Sequence, residues 1–180
     1  MFFEDYFIKL KTQLDLIENS NLEALSASIL SASSKNKKII IAGNGGSSSI
    51  ASHLSVDLTN AANIRAINFN DVGLITCFSN DYGYENWISR ALDSYADSGD
   101  LIILISSSGQ SKNMLVAAQK ARDLGVSIST FTGFNSNNPL RELGDINFWV
   151  DSKEYNIVEM THHVWLLAIV DYIISKNIKI

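Results

Sequence analysis

The chain has 180 residues, 46% hydrophobic and 18% charged, with a formal net charge of −5. That is one domain's worth of chain, long enough to bury a layered core and too apolar for intrinsic disorder. The acidic balance argues against a general nucleic-acid binder or a binder of anionic membranes, and leaves room for a local anion site. The single cysteine, Cys77, excludes a disulfide framework within the chain. The charged start, MFFEDYFIKLKTQLDL, lacks the pattern of a secretory signal, and the apolar stretches read as short of the ~20 residues that span a bilayer. The expectation is a cytoplasmic protein with no membrane or nucleic-acid partner.

In chain order, Phe3, Phe7, Leu10, Leu14 and Ile17 recur at spacings of four and three, a helical stripe that packs on the chain's own core or forms an oligomer interface. A second helix follows with Leu22, Leu25, Ile29 and Leu30 inward. Lys38–Ala42 is a short β-branched run and reads as a buried strand. It enters Gly43-Asn44-Gly45-Gly46-Ser47 and a helix over 48–60. A weak strand is predicted over 65–68 and helices over 71–79 and 84–95. A strong strand over 100–105 runs into Ser106-Ser107-Ser108-Gly109-Gln110-Ser111 and a helix over 111–124. Strands over 126–132 and 146–150 and a long helix over 157–176 complete the chain. Pro139 is the only proline, so long helices are permitted almost throughout. Strands alternating with helices predict an α/β fold: a doubly wound parallel sheet sandwiched by helices, as a single domain over 1–180, with a helical pair over 1–35 and the sandwich over 36–180.

Two loops carry the chemistry. Gly43–Ser49 is glycine-rich with hydroxyls, and Ser106–Ser111 is hydroxyl-rich, and each joins the carboxyl end of a central strand to a helix. Open α/β sheets bind ligands at such ends. A phosphate there accepts hydrogen bonds from unpaired backbone N–H groups and from serine hydroxyls, assisted by the helix dipole. One such loop is explained as well by serines capping helices, whereas two at successive strand ends favour phosphate. The first loop does not spell the dinucleotide fingerprint G-x-G-x-x-G, and the P-loop signature GK[ST] is absent.

The strings GNGGSSSIASHLSVDLT, FSNDYGYENWISRALDSYADSGDLIILISSSGQSKN and VEMTHH resemble the sugar isomerase (SIS) domain, and within it the phosphoheptose isomerases. The resemblance covers nearly the whole chain. It implies an aldose–ketose isomerase acting on sedoheptulose 7-phosphate or a close analogue through an enediol, in a pathway feeding cell-surface polysaccharides. It also implies a homotetramer whose N-terminal helices meet in a central bundle. Phosphate contacts carry over to Ser47, Ser106, Ser107, Ser108 and Ser111, and sugar contacts to Asn44 and Asp81.

The acid–base residues depart from the family pattern. The resemblance places a glutamate base four residues past a histidine; here that histidine is His53 and the base position is Asp57, a carboxylate shorter in reach by ~1.5 Å. The family's catalytic histidine position falls on Leu167, eight residues after Glu159, which stands where the family has glutamine. Positions 159, 163 and 167 share one helical ribbon, so His163 is the candidate replacement and His162 the reserve. The catalytic assignment is therefore Asp57 and His163. Two i,i+4 pairs result, His53 with Asp57 and Glu159 with His163, and if they converge their four ligands suit zinc. The alternative for each pair is a helix salt bridge or a satisfied histidine. The arginine that the family often places shortly after the base is missing from Asp57–Ala61, with Arg65 nearby. Cys77 and the tryptophans Trp87, Trp149 and Trp165 read as packing residues, with Trp165 able to border the pocket. A second functional reading, from a different class, is a non-catalytic SIS protein that binds phosphosugars or assembles with a partner such as the bacterial replication initiator.

Overall fold

In the computed structural model, which describes residues 1–177, Ile39–Gly43 forms strand β1 and Leu101–Ser106 forms β3 at the centre of a five-stranded parallel sheet. The remaining strands are β2 (Ala66–Asn68), β4 (Ser127–Thr132) and β5 (Ile146–Trp149), and the order is β2-β1-β3-β4-β5. The helices are α1 (Phe2–Asp15), α2 (Asn19–Ser34), α3 (Gly46–Asn60), α4 (Val72–Tyr82), α5 (Trp87–Tyr95), α6 (Lys112–Asp123) and α7 (Tyr155–Asn177). A short 3₁₀ turn at Arg141–Leu143, between β4 and β5, was not foreseen. Residues 178–180, the end of the predicted domain, lie outside the described residues.

The central strands are apolar because both faces of the sheet are covered. Alternation sorts their side chains. Ile39, Ile41, Leu101, Ile103 and Ile105 point into one core with α2, α3 and α7. Ile40, Ala42, Ile102 and Leu104 point into the other with α5 and α6. Register pairs Ile39 with Leu101 and Gly43 with Ile105, so the carboxyl ends of β1 and β3 stand side by side. From there α3 leaves over one face and α6 over the other. The gap between β1 and β3 is thus the topological switch point, the place where a doubly wound sheet opens a crevice.

α7 is long and apolar enough to cross a membrane by length and composition, with a mean hydropathy of 1.4. This corrects the expectation that all apolar stretches are short. Its apolarity has a packing cause: Val158, Leu166, Ile169, Val170 and Ile173 are buried in the core, and the helix contacts α1, α2 and α3. α1 divides the predicted stripe in two. Leu14 and Ile17 rest on the core, while Phe3 and Phe7 are exposed.

Cys77 corrects a second expectation, since it is exposed rather than core. α4 has no fully buried residue; Leu74, Ile75 and Phe78 turn inward and Cys77 lies on the outer face. Trp87 and Trp165 are packing residues as read, each 3% exposed. Trp165 packs near Phe148 and His162, and its indole N–H reaches the Leu14 carbonyl at 3.4 Å, so it ties α7 to α1 instead of bordering the pocket.

Candidate active site

At the switch point lies a cleft of about 300 Å³, walled by the Gly45–Gly46 backbone, the serine loop, and Tyr155 and Glu159 from α7. Gly45 turns the chain into α3 with φ of 55°, a conformation that favours glycine. At the start of α3 the Ser48 and Ser49 N–H groups bond the Gly45 carbonyl, which leaves those of Gly46 and Ser47, both at the cleft, without an intrahelical partner. Ser47, Ser106, Ser107, Ser108 and Ser111 all line the cleft, as the sequence predicts. Ser106 Oγ donates to Ser111 Oγ at 3.1 Å, and Ser108 Oγ accepts from the Gln110 N–H at 3.3 Å. Ser107 Oγ is buried beside the Glu159 carboxylate without a well-formed hydrogen bond to the chain. No lysine or arginine lines the cleft among the described residues. The cleft offers N–H and O–H donors, the chemistry that suits a phosphate monoester.

Gly109 holds the serine loop at φ of 65°, and a Cβ there would overlap the buried Asn138 side chain. Asn138 in turn bonds Thr132 Oγ1 and the Asn135 carbonyl. Gly109→Ala therefore combines left-handed strain with a clash, at a cost of about 2–3 kcal/mol. The melting temperature is expected to fall by roughly 5–10 °C in a thermal scan.

Asn44 lines the cleft, and its side chain is engaged by two neighbours. Its amide pairs with Asn113 in both directions, at 3.0 and 2.8 Å, and its oxygen also accepts from Tyr84 Oη at 3.1 Å. Asn113 is 2% exposed. The pair clamps the β1–α3 loop to the start of α6, so Asn44 sets the spacing of the two loops that wall the cleft. Asp81 is not among the cleft-lining residues and lies on the last turn of α4, where it accepts from Asn80 and contacts Cys77. Arg65 cannot replace the missing arginine: its guanidinium bonds Asn36 at the other end of the sheet.

The candidate acid–base residues meet where α3 crosses α7. His53 Nε2 lies 3.3 Å from Asp57 Oδ2, one turn along α3. His53 Nδ1 lies 2.9 Å from His163 Nε2 on α7. Asp57, His53 and His163 therefore form a continuous series, with the two rings edge to face. Burial lowers the pKa of His163; the charge of His53 adds to this and Asp57 opposes it. His163 is thus held towards the neutral form. His162 is fully buried, with Nε2 bonded to the Thr132 carbonyl at 2.9 Å, and takes no part in the site. Leu167 is half-buried on the ribbon of His163 and has no proton to transfer.

Glu159 does not join this series. Its carboxylate packs on Gly46 so closely that a Cβ there would overlap it, and it lines the phosphate cleft. Burial raises its pKa and the neighbouring Ser107 hydroxyl partly opposes the shift. Of the candidate metal set, His53, Asp57 and His163 lie together and Glu159 faces Gly46, and no group of three or more His, Cys, Asp or Glu side chains among the described residues converges on one point. The physical reason is that His53 presents its two nitrogens in divergent directions, one to Asp57 and one to His163. Donors strung in a line do not enclose an ion.

The cleft and the series occupy successive levels of the α3–α7 crossing. Gly46 meets Glu159 at the first and His53 meets His163 at the second, one turn or ~6 Å further along α7. Sequence reasoning missed Asn113 and Tyr155. Tyr155 stands one turn before Glu159 on the same ribbon, a spacing that was available; the partner of Asn113 is 69 residues away in the chain and gave no local signal.

The SIS domain profile matches residues 3–133, and the chain belongs to the SIS domain family. Its relatives there are phosphoheptose isomerases. That of Hamiltonella defensa subsp. Acyrthosiphon pisum is 34% identical, over 80% of this chain and 72% of its own length. That of Buchnera aphidicola subsp. Schizaphis graminum is 32% identical over 96% of this chain and 89% of its own. The solved structure of a phosphoheptose isomerase from Francisella tularensis has a TM-score of 0.89 at 26% identity, covering 97% of this chain and 96% of that one.

Proposed function

We propose that this protein is an aldose–ketose isomerase of seven-carbon sugar phosphates, interconverting sedoheptulose 7-phosphate and a heptose 7-phosphate through an enediol. The observation that carries it is the placement of an anion cleft with unpaired N–H and O–H donors one helical turn from an Asp57–His53–His163 series. A phosphate on C7 seated in the cleft leaves an extended chain of six carbon–carbon bonds, each ~1.5 Å, to bring C1 and C2 to the level of the series. Asp57 takes the proton from carbon, and the electron pair forms the C1=C2 bond. His163, held neutral, moves protons at the two oxygens. The phosphoheptose isomerase relatives support the substrate class, and a phosphorylated substrate implies work in the cytoplasm. The non-catalytic reading is weaker, because it leaves the bonded Asp–His–His series without a use.

Purified protein incubated in D2O with sedoheptulose 7-phosphate and followed by NMR is the test. Deuterium at the carbons beside the carbonyl, together with appearance of the aldose, is the expected result. No exchange and no product would overturn the proposal.

The exposed face of α1, with Phe2 75%, Phe3 72% and Phe7 62% accessible, is the surface we assign to contact with further copies of the chain. Phe3→Glu combined with Phe7→Glu is expected to shift sedimentation velocity to a smaller species, and an unchanged sedimentation coefficient would count against it.

A further inference from the structure

Tyr155, Glu159 and His163 recur every four residues along α7 and share one ribbon of its surface. Glu159 meets Gly46 at the level of the cleft, and His163 meets His53 at the level of the candidate acid–base residues. Tyr155 is the first residue of α7 and lines the cleft one turn before Glu159, on the side away from His163. Its ring is braced there. It meets the Phe134 ring edge to face, with centroids 4.9 Å apart. Phe134 takes that place at φ of 57°, a left-handed conformation that is strained for a residue with a Cβ. Two bonds hold it. The Phe134 N–H donates to the Ser152 carbonyl at 2.9 Å, on the segment that leads into α7. The Gly133 N–H donates to the Ser107 carbonyl at 2.9 Å, on the serine loop. Gly133 is itself so close to α7 that a Cβ there would overlap Val158. The serine loop, the Phe134 brace and the Tyr155 ring are thus joined as one unit, and strain retained in such a unit is a mark of a ligand site.

We propose that Tyr155 is a length stop that limits the substrate to seven carbons, its ring closing the end of the cleft behind the phosphate. The inference rests on the isomerase reading above. The levels of α7 set the scale. At ~1.5 Å of rise per residue, Glu159 lies ~6 Å and Tyr155 ~12 Å before His163 along the helix. In an extended sugar each carbon–carbon bond of ~1.5 Å advances ~1.25 Å along the chain, so six of them and the C–O–P link put phosphorus ~10 Å from C1. With C1 at the level of His163, the phosphorus of a seven-carbon substrate falls between the levels of Glu159 and Tyr155, where the serine loop lines the cleft. Its outer oxygens then come up to the Tyr155 ring. An eighth carbon moves the phosphate outward by a further ~1.25 Å, into the ring. Phe134, edge to face with that ring, holds it in place. Five- and six-carbon phosphates stop short of the ring, so the stop acts against longer chains alone.

The probes are sedoheptulose 7-phosphate and a 2-octulose 8-phosphate, which has the same ketose end and one more carbon. The readout is the ratio of their kcat/KM values, because a loss of folded protein lowers both and leaves the ratio alone. Wild type is expected to prefer the seven-carbon sugar ~10–200-fold, the range that one extra carbon commands at a fitted wall. Tyr155→Phe keeps the ring and is expected to keep that ratio within about threefold of wild type. Tyr155→Ala opens the end of the cleft and is expected to bring the two sugars within about threefold of each other. Phe134→Ala leaves the ring but removes its brace, and an intermediate ratio is expected. A ratio unchanged in Tyr155→Ala overturns the stop and leaves the isomerase reading in place. A preference lost already in Tyr155→Phe also overturns it, since the hydroxyl and not the ring would then set the selection. So does a wild type that turns over both sugars equally well. A wild type that isomerises neither sugar removes the isomerase reading and the stop with it.

Discussion

Asp57→Asn is expected to lower kcat by roughly 10²–10⁴-fold while leaving KM nearly unchanged. Asparagine has the shape of aspartate and keeps an oxygen or nitrogen near His53 Nε2, now 3.3 Å from the carboxylate, so the α3–α7 crossing stays in place. What it cannot do is accept a proton from carbon. The phosphate cleft lies at the other level of the crossing and is untouched, which is why KM holds. His163→Ala is expected to fall into the same range, because it removes the group that serves the oxygens. Combining the two should cost little more than either, since residues that act in one sequence of proton transfers are not additive. The readout is the NMR time course of aldose formation, with phosphosugar affinity measured separately by calorimetry. Asp57→Asn within tenfold of wild type would remove the carboxylate from the mechanism and direct the search for the base elsewhere along the cleft.

The parts of this site that the sequence discloses are those that depend on local chain geometry. The apolar runs ending in glycine and serine fix β1 and β3 and place their loops at the sheet's carboxyl edge. The i,i+4 spacing of His53 and Asp57 survives in the structure because one helix carries both. The ribbon of 159, 163 and 167 carries His163 towards His53, while the His162 ring is directed to the Thr132 carbonyl. Contacts between helices were not legible. Where α7 crosses α3 decides that Glu159 sits on Gly46 and His163 on His53. The tie of Asn44 to Asn113 was hidden for the same reason, because the partner comes from the first turn of α6. Cys77 was misread because an apolar helix was taken to be apolar on all sides, whereas α4 lies on the surface and buries only its Leu74, Ile75 and Phe78 face.

The second large effect concerns stability in acid, and it comes from the histidine the mechanism does not use. His162 is fully buried between the Phe131 and Trp165 rings, its Nε2 bonded to the Thr132 carbonyl and its Nδ1 buried without a partner. Burial pushes its pKa down to about 4, with the Thr132 bond opposing the shift. Above pH ~6.5 the ring is neutral in folded and unfolded chains alike and contributes no pH dependence. As pH falls below that, the unfolded chain takes up the proton first and the folded state loses ground, until near pH 4 the folded ring also protonates. The full loss is on the order of 3 kcal/mol. His163, also depressed, adds in the same direction, while Glu159, raised by burial, contributes oppositely and favours the fold as pH falls. Comparison with His162→Leu isolates the buried ring. The Thr132 carbonyl keeps its bond from the Val150 N–H, so the variant leaves no unpaired acceptor, and near pH 7.5 its stability should stay within ~1–2 kcal/mol of wild type. Between pH 7.5 and 4.5, urea midpoints should fall distinctly further for wild type than for the variant. Parallel curves would mean that the His162 cavity admits the charged ring at little cost, and that acid lability resides in other groups.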